Sequence, residues 1–393
     1  MTWTVPLADL DFDEAETRAV LEVLESKWLT MGHVAERFER AFASAVGARH
    51  AVAVSSGTAA LHLACRALEI GPGDEVVVPS LTFVATANAV VYCGATPVFA
   101  DITSEDDWTI SPSDIEQRMT DRTAAIVVMH YGGYPCDMAA ILDVARRHGV
   151  PVIEDCAHAP LARLNERAVG TFAAIGCFSF YANKNLAVGE GGMLVTDDDE
   201  IARRARRMRC HGMSSACVER HDGAGPLYDV TEIGYNYRLD EMRAAIGLVQ
   251  LGKLARNNER RGALMRRYRE LIAGVTGARA PFADARGEPA HHICPVLLDE
   301  SVDRQACIEA LQEQGIQTSV HYTPVHLFSC YREHFGSGEG ALPLTEAVGA
   351  REITLPLHPL LTEREVAVVI GALEEVMGTR RRKPSPRGEV VVG

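Results

Sequence analysis

AVAVSSGTAALHLACRAL (51–68) reads as a strand, a tight turn and a helix in immediate succession. Its first residues are Val-rich and uncharged, and from Thr58 the apolar residues recur at helical spacing. Gly57 lets the backbone approach a ligand closely. The first amides of the helix, with its macrodipole, favour an anion, and the hydroxyls of Ser56 and Thr58 add donors. Taken alone, the segment serves equally well as an ordinary turn with a Ser/Thr cap. Neither GxxxxGK[ST] nor GxGxxG is present, so a nucleoside-triphosphate or dinucleotide site is not indicated.

Outward from this segment the same alternation repeats. Predicted strands are 51–55, 75–80, 96–101, 124–130, 151–155, 177–181 and 192–196, rich in Val, Ile and Phe as doubly covered strands should be. Helical patterns fall between them at 58–68, 84–93, 113–119, 137–148 and 198–208. This predicts an α/β fold with a mainly parallel seven-stranded sheet flanked by helices. A long helix over 240–275, bent near Gly247 or Gly252, then leads to a smaller α+β part. That part has strands at 291–299 and 315–322 and helices at 303–315 and 363–377. The expected organisation is a large domain over 1–255, a small one over 256–379 and a disordered basic tail over 380–393.

The 393 residues are 47% hydrophobic and 23% charged, as in an ordinary globular protein. A net charge of −14 disfavours binding to nucleic acid or to anionic membrane surfaces. No uncharged apolar run reaches the roughly 18 residues that span a bilayer. The acidic start lacks the basic-then-apolar order of a signal peptide, which predicts a cytoplasmic protein. The ten cysteines are scattered without CxxC, so reduced thiols are expected. Six of them (Cys65, Cys93, Cys156, Cys177, Cys294, Cys307) read as core, and no metal site is expected because ligand spacing is lacking.

Two further segments could carry chemistry. PVIEDCAHA (151–159) ends a buried strand with Glu154 and Asp155, followed by His158. A carboxylate at a strand's carboxyl end faces the ligand crevice and needs a cationic partner. The competing reading is a helix-capping Asp155 and a core histidine. CFSFYANKNLAVGEGGML (177–194) places Lys184 between an apolar strand and a glycine-rich turn. Partial burial there lowers a lysine's pKa and frees its amine as a nucleophile. The competing reading is a surface lysine. An anion cradle at Gly57–Thr58, an acid at Asp155 and an amine at Lys184, all at strand carboxyl ends, are the three things pyridoxal phosphate requires.

The chain resembles the DegT/StrS family of pyridoxal-phosphate sugar aminotransferases, a branch of the fold-type I aminotransferases. The likeness runs from WLTMG (28–32) to LPLHPLLTEREV (355–366). It rests on SSGTAALHLA, VPSLTFVATANAV, EDCAHA, FSFYANKNLAVGEGGM, GYNYRLDEMRAAIGLVQL and VHYTPVHL. The resemblance implies that Lys184 forms the Schiff base and shuttles the proton, and that Asp155 pairs with the pyridinium nitrogen. It implies that His158 approaches the phenolic oxygen and that Phe83 stacks on the ring. Gly57, Thr58 and Ser179 would hold the phosphate, completed by Asn236 from the neighbouring subunit of a homodimer. His321 and Tyr322, with His326 nearby, would line the sugar pocket. The lysine context Tyr-Ala-Asn-Lys-Asn varies from that of other members without touching the Schiff base.

The resemblance implies a ping-pong transfer from an amino donor, glutamate in this family, to a keto-sugar. A nucleotide-linked 4-keto-6-deoxy sugar is preferred as acceptor, with a keto-cyclitol or another cyclic ketone as alternatives. The rivals are a lyase or dehydratase on the same cofactor and a non-catalytic regulator. Lys184 and the lack of an appended DNA-binding segment speak against the regulator.

Overall fold

The computed structural model describes residues 3–214 and 228–379. In chain order the large sheet and its helices comprise α1 (Glu14–Ser26), α2 (His33–Val46), β1 (His50–Val54), α3 (Gly57–Ala67), β2 (Glu75–Pro79), α4 (Ala85–Tyr92) and β3 (Thr96–Ala100). They continue with α5 (Pro112–Arg118), β4 (Thr123–Met129), α6 (Met138–His148), β5 (Val152–Asp155), a short β6–β7 hairpin (Arg163–Leu164, Arg167–Ala168), β8 (Ile175–Ser179), β9 (Gly192–Thr196) and α7 (Asp199–Arg209). The sheet order is β1-β9-β8-β5-β4-β2-β3. Only β9 runs against its neighbours. The predicted mainly parallel seven-stranded sheet is therefore present, with apolar clusters on both faces. All six cysteines read as core are buried.

Local chemistry sets the element ends. Asp13 and Glu16 form a reciprocal capping box at the start of α1. Asp137, Asp198 and Ser56 cap α6, α7 and α3 through side-chain oxygens. Gly32, at the start of α2, has no side chain with which to cap. There the carboxylate of Glu241 accepts from the amides of Gly32, Val34 and Ala35, each at 2.8 Å. A residue more than 200 positions away thus neutralises the exposed amides of a helix end.

Glu241 opens α8 (Glu241–Ile272), which runs unbroken through both glycines where a bend was expected. Gly247 is there for close approach: a Cβ would lie 2.7–3.0 Å from the Phe38 ring. Phe38 packs in turn on Phe42 and Phe180. Gly252 faces open space.

Beyond α8, a second sheet of order β10-β11-β12 forms from Ala278–Arg279, Cys294–Leu298 and Glu352–Leu355. Helices α9 (Arg304–Glu313), α10 (Ser329–Phe335), α11 (Pro343–Arg351) and α12 (Glu363–Thr379) accompany it. The core around this sheet gathers Leu264, Tyr268, Val296, Ile353 and Leu373, and Val5 from the chain's start. The predicted strand over 315–322 is not one. Residues Ile316 and Ser319 make only isolated bridges, to Val5 and Thr354, and the chain past Ser319 turns inward, where the His321 amide reaches Glu352 and the Tyr322 hydroxyl reaches His158. The strand β12 went unpredicted. The expected tail over 380–393 lies outside the described residues.

The two α8 glycines predict opposite outcomes. Gly252→Ala should raise stability by about 0.5–1 kcal/mol, from reduced backbone entropy in the unfolded chain. Gly247→Ala gains the same term but forces Phe38 out of a packed cluster. It should lose roughly 1–2 kcal/mol net. Paired denaturant-unfolding curves of the two variants would check the sign of each.

Candidate active site

Every strand that feeds the site delivers its residue at the carboxyl end. Ser55–Ser56 follow β1 and Gly57 opens α3; Phe83 lies in the turn after β2; Asp155 ends β5; Ser179 ends β8. Lys184 sits in the turn after β8, where its amide donates to the Tyr181 carbonyl at 2.9 Å. The strand predicted to reach Tyr181 stops at Ser179, which frees the chain to make this turn.

The cradle is tight. Ser56 Oγ accepts from the Ala59 amide at 3.1 Å. Among the described residues, the amides of Gly57 and Thr58 have no protein acceptor. A Cβ on Gly57 would lie 2.8 Å from Ser179 Cβ, so the helix start is pressed against the end of β8. Two unpartnered amides at the head of an eleven-residue helix, with Ser179 alongside, form an anion-binding concavity.

Asp155 is buried. Its Oδ2 accepts from Thr86 Oγ1 at 2.8 Å and its Oδ1 from the Ala157 amide at 3.0 Å. The carboxylate organises the next turn and also lies within electrostatic reach of Lys184. Burial raises its pKa, opposed by the Ala157 amide, Thr86 and the Lys184 charge. Burial lowers Lys184 to about 8, with the Asp155 carboxylate acting against it. The acid and the amine therefore share one electrostatic neighbourhood. Among the described residues the carboxylate accepts hydrogen bonds from two neutral donors and feels the Lys184 charge only at longer range, and a protonated ring nitrogen would supply a direct cationic partner.

His158 is buried beside them. Its Nδ1 accepts from the Gly132 amide at 3.2 Å, so the neutral ring carries its proton on Nε2, 2.8 Å from the Tyr322 hydroxyl. Burial, with Lys184 and His321 nearby, holds its pKa well below the usual value. Phe83 is 54% exposed, a large apolar ring left open at the site mouth with its centroid 6.1 Å from that of Tyr322. The His321 amide donates to Glu352 Oε2 at 2.7 Å, and its Nδ1 lies 2.8 Å from Thr354 Oγ1. The structure thus brings Lys184, Asp155, His158, His321 and Tyr322 into one cluster.

Two expected residues stand apart. His326 is fully buried with Nδ1 2.6 Å from Ser80 Oγ and Nε2 3.2 Å from Glu346 Oε1, so neither nitrogen is left for a ligand. Asn236 is exposed, on a segment whose Tyr237 carbonyl accepts from the Ser55 amide at the cradle.

Sequence reasoning missed Thr86, His292 and Glu352. His292 Nε2 lies 3.4 Å from Lys184 Nζ. Glu352 is fully buried, and burial raises its pKa to about 8. The doubled histidine in HHICPVLLD was a visible signal for His292, whereas nothing local marked Glu352. Asn183 Oδ1, next to the lysine, is buried without a partner. These residues suit pyridoxal phosphate: an anion cradle, an unpaired acid, an amine of lowered pKa and an open aromatic face.

The family model for DegT/DnrJ/EryC1/StrS aminotransferases matches residues 10–374. The chain is 43% identical over 367 residues to the spore coat polysaccharide biosynthesis protein SpsC of Bacillus subtilis, covering 92% of this chain and 94% of SpsC. Among solved structures it is similar to DesV of S. venezuelae (36% identity, TM-score 0.88, covering 96% of this chain and 99% of DesV). It is also similar to Helicobacter pylori PseC, an aminotransferase involved in the biosynthesis of pseudoaminic acid (28% identity, TM-score 0.89, covering 96% and 100%). On this match, carried across nearly its whole length, the chain belongs to the DegT/DnrJ/EryC1/StrS aminotransferase family and is a pyridoxal-phosphate-dependent aminotransferase.

Proposed function

We propose that this enzyme moves an amino group from glutamate to a nucleotide-linked 4-keto-6-deoxy sugar, in two half-reactions that use one site in turn. The observation that carries the reading is the half-buried Lys184 amine within electrostatic reach of the buried Asp155 carboxylate, with the helix-start cradle alongside. The sugar side of the reading is supported by the polysaccharide and pseudoaminic acid roles named for SpsC and PseC.

Bound pyridoxal phosphate supplies a carbonyl carbon for amines and a ring that spreads charge from the adjacent carbon. The protein's residues do the rest. The amides of Gly57 and Thr58 and the Ser179 hydroxyl hold the phosphate. Asp155 keeps a ring nitrogen protonated, and Thr86 keeps Asp155 aimed and ionised. Phe83 would offer its open face to the ring. His158, whose Nε2 lies 2.8 Å from the Tyr322 hydroxyl, would stand near the cofactor's phenolic oxygen. Lys184 carries the proton to and from the substrate carbon, which suits an amine of pKa about 8 that gains and loses a proton near neutral pH. His321 and Tyr322 line the acceptor pocket. We further propose a cytoplasmic homodimer in which Asn236 of each chain completes the other's phosphate site. Its exposure in the single chain supports that reading.

Three outcomes are expected. Incubating the enzyme with glutamate and a panel of keto-sugars should give an aminated nucleotide sugar by mass spectrometry, with one 2-oxoglutarate formed per product. Product formed without donor consumption would point to the lyase reading instead. Lys184→Ala should lower turnover at least about 100-fold, and borohydride should fix the cofactor to the Lys184 peptide in the wild type alone. Capture of added pyridoxal phosphate by cofactor-stripped protein requires the neutral amine. Its rate should rise with pH and level off above about 8. Asp155→Asn removes the charge that favours the ammonium form, so its profile should level off at lower pH. Stopped-flow absorbance against pH would read both midpoints.

A further inference from the structure

A chain of amides behind the site has a direction that its ends impose. The Pro160 carbonyl can only accept, and Asn258 Nδ2 donates to it at 2.8 Å. Asn258 therefore presents Oδ1 to Asn185, whose Nδ2 donates to it at 2.8 Å and to the Ala290 carbonyl at 2.8 Å. With its amino group committed to two acceptors, Asn185 has only Oδ1 left, 3.0 Å from His292 Nδ1. His292 Nδ1 must then carry the proton. A neutral ring has a single ring proton, so Nε2 is a bare acceptor, and it faces Lys184 Nζ at 3.4 Å.

The ring is held from other sides too. The His292 amide donates to the Gly132 carbonyl at 2.9 Å, and its carbonyl accepts from Arg261 Nη1 at 3.2 Å. The charged and titratable groups around the pair are Asp155 on β5, His158 in the following turn, Arg261 on α8 and His321. Burial, with His158, Lys184, Arg261 and His321 adding to it, holds His292 well below its usual pKa. The ring stays neutral, as an acceptor must.

We propose that His292 is a positioning residue for Lys184. Its tautomer, fixed by Asn185 and Asn258, gives the lysine amine a seat whenever that amine is not bonded to the cofactor. The seat keeps the nitrogen at the site instead of letting four methylene torsions scatter it. It also favours the ammonium form that must return a proton. The inference rests on the family's lysine chemistry and is independent of the acceptor sugar.

The test uses full-length protein stripped of cofactor. Acetic anhydride labelling of Lys184 against pH, read by mass spectrometry, gives the midpoint of its titration. Cofactor capture at pH 9.5, where the amine is neutral in every variant, reads positioning separately. His292→Phe should move the midpoint down by about one pH unit and slow capture roughly tenfold. His292→Gln can accept from the lysine and donate to Asn185, so both readings should stay near wild type. Asn185→Leu touches no atom of the lysine contact but releases the tautomer, and it should lower the midpoint as His292→Phe does. A wild-type midpoint in both His292→Phe and Asn185→Leu overturns the proposal. So does His292→Gln falling as far as His292→Phe, which would mean that ring shape alone matters.

Discussion

A half-buried amine and a buried carboxylate that feel each other's charge govern the rest of this molecule. Charge is costly to bury without partners, and the expense is reduced only by donors and acceptors already fixed in place. Asp155 has Thr86 and the Ala157 amide; Lys184 has Asp155 and His292. Burial lowers the lysine's pKa to about 8 and raises the aspartate's. An amine poised near neutrality can act as base and acid in turn. The reactivity thus arises from an environment and not from any unusual residue.

That environment needs a rigid frame. The parallel sheet points its carboxyl ends into a single crevice, so β1, β2, β5 and β8 each contribute a turn at the same level. The second sheet supplies the opposite wall through His321, anchored on Glu352 and Thr354 of β12. The helix α8 joins the two. Its first residue caps α2, Gly247 lets it press on Phe38, and Asn258 and Arg261 fix the backbone and tautomer around His292. One helix thereby links the packing of the large sheet to the proton state of a ring beside the lysine.

Much of this was legible in the residues. The seven strands and the five helices between them fall within about two residues of the sequence reading, because doubly covered strands and amphipathic helices leave strong patterns. What failed did so for tertiary reasons. Residues 315–322 look like a strand but turn inward, because the Glu352 carboxylate captures the His321 amide. Gly247 and Gly252 read as places where the long helix bends, but what requires a glycine at 247 is a ring from α2 packed against it.

The sequence by itself determined the order of elements, the family and the turns that carry Gly57, Asp155, His158, Ser179 and Lys184, since each lies at or just past a strand whose identity is local. Only the folded chain decided which groups surround the lysine. Thr86, His292 and Glu352 come from 98 residues upstream to 168 downstream of Lys184. Hydrogen-bond partners and desolvation depend on distance in space, and no spacing along the chain encodes that.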